Sequence, residues 1–311
     1  MHFTGTIWRP PYEAASLLIQ ATAGCTHHRC KFCTLYNDLP FPFRVSPPEE
    51  VEADLLEVQT ALHSPIGKLS VALQGLPVRE GPDRVFLTGA NPFVLKTDRL
   101  LEIARLIERY FPTVHTIGCF ARITDVSLKT DEELEQLQDA GYDGLTIGVE
   151  TGDGPSLAFM DKGYTPGDIL TQCCRLDRAG IGYNFFYLTG VAGAGQGERN
   201  AIASAEVFNR LHPRLIGSSM LTVYPDSQLY QEIKAENWAE AGEVEKYEEM
   251  RALIFRLEIP VTFAALGASN AYQFQGQLPE DREALLAALD RIIRRENEDR
   301  LRSYRTTLPH L

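Results

Sequence analysis

The sequence predicts an α/β fold, a partial (β/α)6 barrel of the TIM type with parallel strands and a helical C-terminal extension. Three observations carry this expectation. Apolar, β-branched runs recur at Ser16–Thr22, Arg84–Thr88, Val114–Phe120, Leu145–Glu150, Tyr183–Leu188 and Leu215–Tyr224. Helical patterns with start signals lie between them, and strand alternating with helix implies βαβ crossovers. From about Ala235 the pattern becomes helical alone.

In chain order, the first strand reads Ser16–Thr22. Ser46-Pro47-Pro48-Glu49 opens a helix, with Ser46 as N-cap and proline where a first turn tolerates it. Thr97-Asp98 opens a second, whose Leu100, Leu101, Ala104 and Ile107 form an apolar stripe. Thr130-Asp131 opens a third through Leu134, Leu137 and Ala140, closed by Gly141. Thr165-Pro166 opens a fourth, closed by Gly180, and 198–211 form a fifth. Ala239–Leu257 and Pro279–Tyr304 read as long, charged helices around a turn-rich stretch, Leu266–Gln277. The expected division is a barrel core over residues 14–232 and a helical C-terminal cap over 233–311. In barrels of this type chemistry gathers at the C-terminal ends of the strands, so the residues just after each strand are the candidates.

The chain has 311 residues, 44% hydrophobic and 23% charged, which excludes global disorder and collagen-like repeats. Its length supports a full core without disulfide staples. No apolar run approaches the ~20 residues that span a bilayer. The N-terminus lacks a basic segment followed by an apolar one, so a cytoplasmic protein with no membrane partner is expected. The net charge of −12 argues against a nucleic-acid partner. The one basic concentration, at Arg291, Arg294, Arg295, Arg300, Arg302 and Arg305, is interleaved with Glu296, Glu298 and Asp299 and reads as a solvated helix face.

Three of the six cysteines, Cys25, Cys30 and Cys33, lie in one short segment directly after the first strand, spaced C-x4-C-x2-C. Three thiolates on one loop suit an iron–sulfur cubane with one iron left open. Zinc would also accept them, with His27 or His28 as a fourth ligand, although structural zinc sites usually draw on two separate pairs. Cys119 reads as a small core residue. Cys173 and Cys174 are adjacent on a helix, about 100° apart, and cannot share a compact metal site.

The segment Cys25–Cys33 resembles the signature of the radical S-adenosylmethionine (SAM) enzymes, usually C-x3-C-x2-C with an aromatic residue before the last cysteine. Phe32 matches that aromatic, and the first spacing is one residue longer. Ile147-Gly148-Val149-Glu150-Thr151-Gly152 looks like the family's fourth-strand motif. Tyr224-Pro225-Asp226-Ser227-Gln228-Leu229-Tyr230 is similar to the sixth-strand motif of the methylthiotransferase, Elongator-type and coproporphyrinogen dehydrogenase branch. Leu87-Thr88-Gly89-Ala90-Asn91-Pro92 sits where the family's second strand meets the SAM amino group. The resemblance covers about residues 14–232.

This resemblance implies a [4Fe–4S] cluster on Cys25, Cys30 and Cys33, oxygen-sensitive, with SAM chelated at the open iron. It implies reductive cleavage of SAM to methionine and a 5′-deoxyadenosyl radical, which abstracts hydrogen from a small organic substrate. Phe32, Gly89, Asn91, Arg122, Glu150 and Thr151 are the expected cofactor-binding residues. Glu150, ending its strand, could hold the SAM ribose or amine, or serve as a cap or ion-pair partner. Arg122 could clamp a carboxylate or pair with Asp125 or Glu150. Gly190, Gly193, Gly195 and Gly197 could line the adenine side or form a lid. Those of Tyr183, Phe185, Phe186 and Tyr187 that face inward could line the substrate cavity. The expected partners are the small-molecule substrate and an electron donor such as flavodoxin or ferredoxin. The alternatives are an RNA-modifying enzyme of the same family and a non-enzymatic haem chaperone with its fold.

Overall fold

In the computed structural model, which describes residues 1–65 and 81–308, a single 3-10 turn at Pro11–Glu13 precedes the strands. β1 is Leu17–Gln20, β2 Thr22–Gly24, β3 Phe43–Val45 and α1 Pro48–His63. β4 (Arg84–Thr88) leads to α2 (Thr97–Tyr110), and β5 (Thr116–Ala121) to α3 (Ile123–Ser127) and α4 (Asp131–Asp139). β6 (Leu145–Glu150) leads to α5 (Gly154–Phe159) and α6 (Pro166–Ala179). β7 (Tyr183–Thr189) leads to α7 (Gly197–Phe208), and β8 (Leu215–Met220) to α8 (Gln228–Lys234). Then come α9 (Glu243–Arg256), β9 (Val261–Ala265), β10 (Phe274–Leu278), α10 (Arg282–Arg295) and α11 (Glu298–Thr306).

The sheet order β1-β4-β5-β6-β7-β8-β9-β10 is that of a partial TIM-type barrel with an extension. β1 pairs parallel with β4, β4 with β5, β7 with β8 and β8 with β9, while β9 and β10 are antiparallel. β2 and β3 form a separate antiparallel pair. No helix among the described residues is long and apolar enough to cross a membrane.

The chain forms two compact units. One holds β1–β5, α1–α4 and Leu145–Thr146; the other holds Ile147–Glu150, β7–β10, α5–α11 and His27–Thr34. In the first unit, Ile19, Val85, Leu87, Ile117 and Cys119 are buried. The N-terminal ends of its strands are closed by an ion pair. Arg84 donates from Nε and Nη2 to Glu13, and from Nη1 to Thr116 Oγ1 and the Asp143 carbonyl. Such a charge buried without a partner would be costly, and the fork supplies both charge and geometry. Thr130 caps α4 in a reciprocal box with Glu133, as the sequence implies.

In the second unit, β7 divides its residues between two faces by the period of two. Tyr183, Phe185 and Tyr187 point to one side, where Phe185 and Tyr187 pack on Phe208 of α7 at 5.0 and 6.2 Å between ring centroids. These aromatics are therefore packing residues of the helix-covered face, and Phe186 alone of the four points the other way.

Several expected elements differ. The first strand breaks at Ala21, because Gly24 turns at φ 78° and Thr22–Gly24 pair with β3 instead. Ser46 does not cap α1. Its N–H donates to the Ala21 carbonyl, and the helix starts at Pro48. The last expected strand stops at Met220. The region after Ala235 is not helix alone, since Val261–Ala265 and Phe274–Leu278 add a hairpin to the sheet. Pro279–Tyr304 is two helices, separated at Glu296-Asn297, where Asn297 caps α11.

Candidate functional site

β2 delivers Cys25. At Gly24 a Cβ would stand 2.2 Å from the Pro42 carbonyl oxygen, so only glycine lets the strands approach there. The Cys25 N–H then donates to that same Pro42 oxygen at 2.9 Å. The next residue, Thr26, is tied to Asn91. Asn91 Oδ1 accepts from the Thr26 N–H at 3.4 Å, and its Nδ2 donates to Thr26 Oγ1 at 2.8 Å. Asn91 is fully buried, and Nδ2 also bonds both carboxylate oxygens of Asp125 at 3.1 Å. Asp125 accepts the Arg122 N–H at 2.8 Å, and burial pushes its carboxyl up to about 6. The Asn91 side chain is thus committed to holding the residue after Cys25.

Gly89 is required by close approach. With φ at 127°, its Cβ would lie 2.0 Å from Thr22 Oγ1. Two buried hydroxyls beside it, Thr22 Oγ1 and Thr88 Oγ1, have no partner among the described residues. Arg122 donates from Nη1 to Thr124 Oγ1 at 3.0 Å.

In the second unit, residues 30–33 form a tight turn in which the Cys33 N–H donates to the Cys30 carbonyl at 3.0 Å. Two clamps grip it. The Lys31 N–H donates to the Met160 carbonyl, and the Lys31 carbonyl accepts from the Leu229 N–H at 2.7 Å. Ser227 caps α8 and so presents Leu229, which gives the Tyr224–Tyr230 motif a physical role. Lys31 Nζ pairs with Glu232 at 2.6 Å and lies 4.2 Å from the Phe159 ring centroid. His27 Nε2 donates to the Asp161 carbonyl at 2.5 Å. Phe32 packs against a buried cluster of Met160, Leu188, Val191, Leu221 and Leu229.

Glu150 has φ 63°, a left-handed conformation that costs a non-glycine residue on the order of 1 kcal/mol. The turn folds its carboxylate back over Gly148, where a Cβ would be 2.8 Å from Oε1. There Glu150 pairs with Lys162 at 3.0 Å, both largely buried. Lys162 Nζ also stands 5.7 Å from the Phe32 ring centroid and 5.6 Å from that of Tyr164. Thr151 is buried. Its hydroxyl donates to Asn200 Oδ1 and accepts from the Asp153 N–H, and Ser204 Oγ accepts from the Gly152 N–H at 2.8 Å. Asn200 Nδ2 in turn donates to Glu249 Oε1 at 2.7 Å, which also accepts from Tyr187 at 2.6 Å. Glu249 Oε2 accepts the Gly190 N–H at 2.9 Å, and burial pushes this carboxyl up to about 7.

Sequence reasoning missed Lys162, Asn200 and Glu249. Lys162 lies twelve residues beyond Glu150 and returns to it only because α5 is short, so neither spacing nor periodicity marks it. None of the six cysteines is in a disulfide. Cys119 and Cys173 are buried, with thiols pushed up by desolvation, and Cys174 is exposed. Among the described residues no group of three His, Cys, Asp or Glu is gathered as for a single metal ion. In a cubane each thiolate takes a different iron, a donor arrangement that three cysteines on one loop suit chemically.

A family model described as the radical SAM superfamily matches residues 19–204. No curated protein matches. Among solved structures, the fold is similar to the radical SAM methyltransferase TsrM of Kitasatospora setae with tryptophan and a SAM analogue bound. That match has 20% identity, a TM-score of 0.52, and covers 72% of this chain and 40% of the other. It is similar to coproporphyrinogen III oxidase from Escherichia coli, with 14% identity, a TM-score of 0.53, and coverage of 77% and 51%. It is also similar to the Methanocaldococcus infernus Elp3, with 11% identity, a TM-score of 0.51, and coverage of 77% and 61%. The chain spans less than two thirds of each of these proteins.

Proposed function

The chain belongs to the radical SAM superfamily, and from that membership we propose that Cys25, Cys30 and Cys33 hold a [4Fe–4S] cluster in an enzyme that acts on a small organic substrate. The carrying observation is the tight turn at Cys30–Cys33, held by Met160 and Leu229, with Phe32 beneath Lys162 and Glu150. The donor chemistry fits the group, since the cluster segment is thiol-rich and no disulfide consumes it.

When bound, the cluster supplies one electron to SAM, which yields methionine and a 5′-deoxyadenosyl radical. The rest is the work of the chain. Glu150 accepts hydrogen bonds from the SAM ribose or ammonium, and Lys162 holds its carboxylate in position. Gly89, Arg122 and the backbones of Asn91 and Thr151 line the cofactor, while the Asn91 and Thr151 side chains fix the loops that carry it. Phe32 and the apolar cluster under it exclude water, which a reactive radical requires. The reaction draws on an electron donor such as a flavodoxin or ferredoxin.

The test is anaerobic incubation of the reduced protein and SAM with deuterated candidate metabolites. Deuterium in 5′-deoxyadenosine identifies the substrate and supports the reading. Intact SAM together with stoichiometric haem binding would overturn it in favour of a haem carrier.

A further inference from the structure

α9 buries an acid whose bonds lead away from its own helix to the ends of the strands. Glu243, Lys246 and Glu249 are spaced three residues apart on α9, and each is buried. Glu243 and Lys246 pair with one another at 3.0 Å. Glu249 instead reaches β7, the turn after it and α7. Its Oε1 accepts from the Tyr187 hydroxyl and from Asn200 Nδ2, and its Oε2 accepts from the Gly190 N–H. A buried carboxylate is costly to desolvate, and an apolar side chain would pack at least as well, so packing does not account for the acid.

The carboxylate also gives these bonds a direction. It can only accept, so Asn200 presents its NH2 group to it, and Nδ2 also donates to Tyr187 Oη at 2.9 Å. Asn200 Oδ1 is thereby turned to Thr151, whose hydroxyl donates to it and accepts from the Asp153 N–H at 2.8 Å. Thr151 follows Glu150, the residue held in left-handed backbone. The next residue, Gly152, sits directly on α7: a Cβ there would stand 2.7 Å from Ser204 Cα. The turn that ends β6 therefore rests on α7, and Asn200 of α7 is braced by α9. α9 lies outside the residues 19–204 that match the family model.

We propose that Glu249 is a positioning residue for the SAM site, acting through Asn200 on the Thr151 hydroxyl and so fixing the backbone at Glu150 and Thr151 on which SAM binding depends. A glutamine at position 249 would reverse the relay. The Gly190 N–H cannot turn, so the amide oxygen stays on it and the new NH2 group faces Asn200. Asn200 then turns its own NH2 group on Thr151, and the threonine hydroxyl loses its acceptor. This inference rests on the proposed radical SAM function and deepens it.

The test is SAM titration of the reconstituted, reduced holoenzyme at pH 8, read from the electron paramagnetic resonance signal of the cluster, with iron content and melting temperature measured on the same samples. At that pH the Glu249 carboxyl, pushed up to about 7, is mostly ionised. Glu249→Gln and Thr151→Val each keep the side chain's shape, and each should weaken SAM about three- to tenfold at wild-type iron content, the equivalent of one neutral hydrogen bond. The double variant should bind SAM within about twofold of the weaker single variant, because both changes interrupt one path. Met250→Ala, which opens a cavity beside Glu249 on α9 without touching the relay, should lower the melting temperature and leave SAM affinity unchanged. Should Thr151→Val lose its iron, Asn200→Ala replaces it with the same expectations. The inference is overturned if Glu249→Gln binds SAM like wild type, if the two effects multiply in the double variant, or if Met250→Ala weakens SAM as much as Glu249→Gln. Any of these in protein that holds iron and binds SAM leaves the proposed function standing. Wild-type protein without iron and without SAM binding overturns the function first.

Discussion

Lys162 Nζ lies 3.0 Å from Glu150 Oε1, over the Phe32 ring that sits between two of the three clustered cysteines. The contact joins the end of β6 to the cysteine turn, and the backbone around it has the same purpose. Met160 and Asp161, the two residues before Lys162, accept hydrogen bonds from Lys31 and His27. One short turn therefore sets both the cysteine segment and the carboxylate.

Glu150→Gln should weaken SAM binding about ten- to hundredfold, the equivalent of roughly 1.5–3 kcal/mol for a charge-assisted bond. Lys162→Met should do the same and cost about 3 kcal/mol of stability, because it strands a mostly buried carboxylate. Lys162→Arg should retain binding. Iron content should be unchanged in all three, since neither residue is a ligand. Spectroscopic SAM titration and iron analysis on the same samples check this.

Asn91→Ala should loosen the start of the cysteine segment. It removes both hydrogen bonds to Thr26 and leaves the buried Asp125 without its amide donor. A loss of about 2–4 kcal/mol is expected for two or three buried bonds. Reconstituted iron should fall to less than half of wild type. Thermal melting and iron analysis after reconstitution measure both effects.

Glu249 should make stability pH-dependent. Its folded value of about 7 lies above its ordinary value of 4.5, so the folded state holds the proton more tightly. Its contribution is complete below about 4.5 and is lost as pH rises through about 7. The melting temperature of wild type relative to Glu249→Gln should be highest near pH 5 and fall by pH 8. A difference that rises with pH would contradict the assignment.

Cys119, Cys173 and Cys174 should be dispensable for iron. Two are buried in apolar surroundings and the third is exposed on α6. The triple alanine variant should keep wild-type iron content, with a modest loss of stability from the two buried sites. Half the iron would reveal a second cluster.

The alternation of strand and helix was legible because buried parallel strands are continuous apolar runs, as Leu145–Val149 shows. Thr130 was legible as a cap because its box with Glu133 is local. The cysteine segment was legible because its ligands lie close in sequence. What escaped is non-local or weakly patterned. Phe274–Leu278 is a half-exposed strand at the end of the sheet order, with Gly276 at its centre, and reads as a turn. Glu249 sits on a helix rich in charged residues, and its partners Tyr187 and Asn200 come from 62 and 49 residues away. Asn91 and Thr151 were recognisable as residues at strand ends, but their side-chain partners Asp125 and Asn200 come from 34 and 49 residues away.

On the proposed function, Cys25, Cys30 and Cys33 hold a cluster that cleaves SAM. The direct measurement is anaerobic reconstitution of wild type and the Cys25/Cys30/Cys33→Ala variant, followed by metal analysis and quantitation of 5′-deoxyadenosine after reduction with SAM present. Wild type should hold about four irons per chain, as a [4Fe–4S] centre requires, and release methionine and 5′-deoxyadenosine. The variant should hold no cluster and release neither. Wild-type iron in the variant, or one zinc per chain and no iron in the wild type, would contradict it.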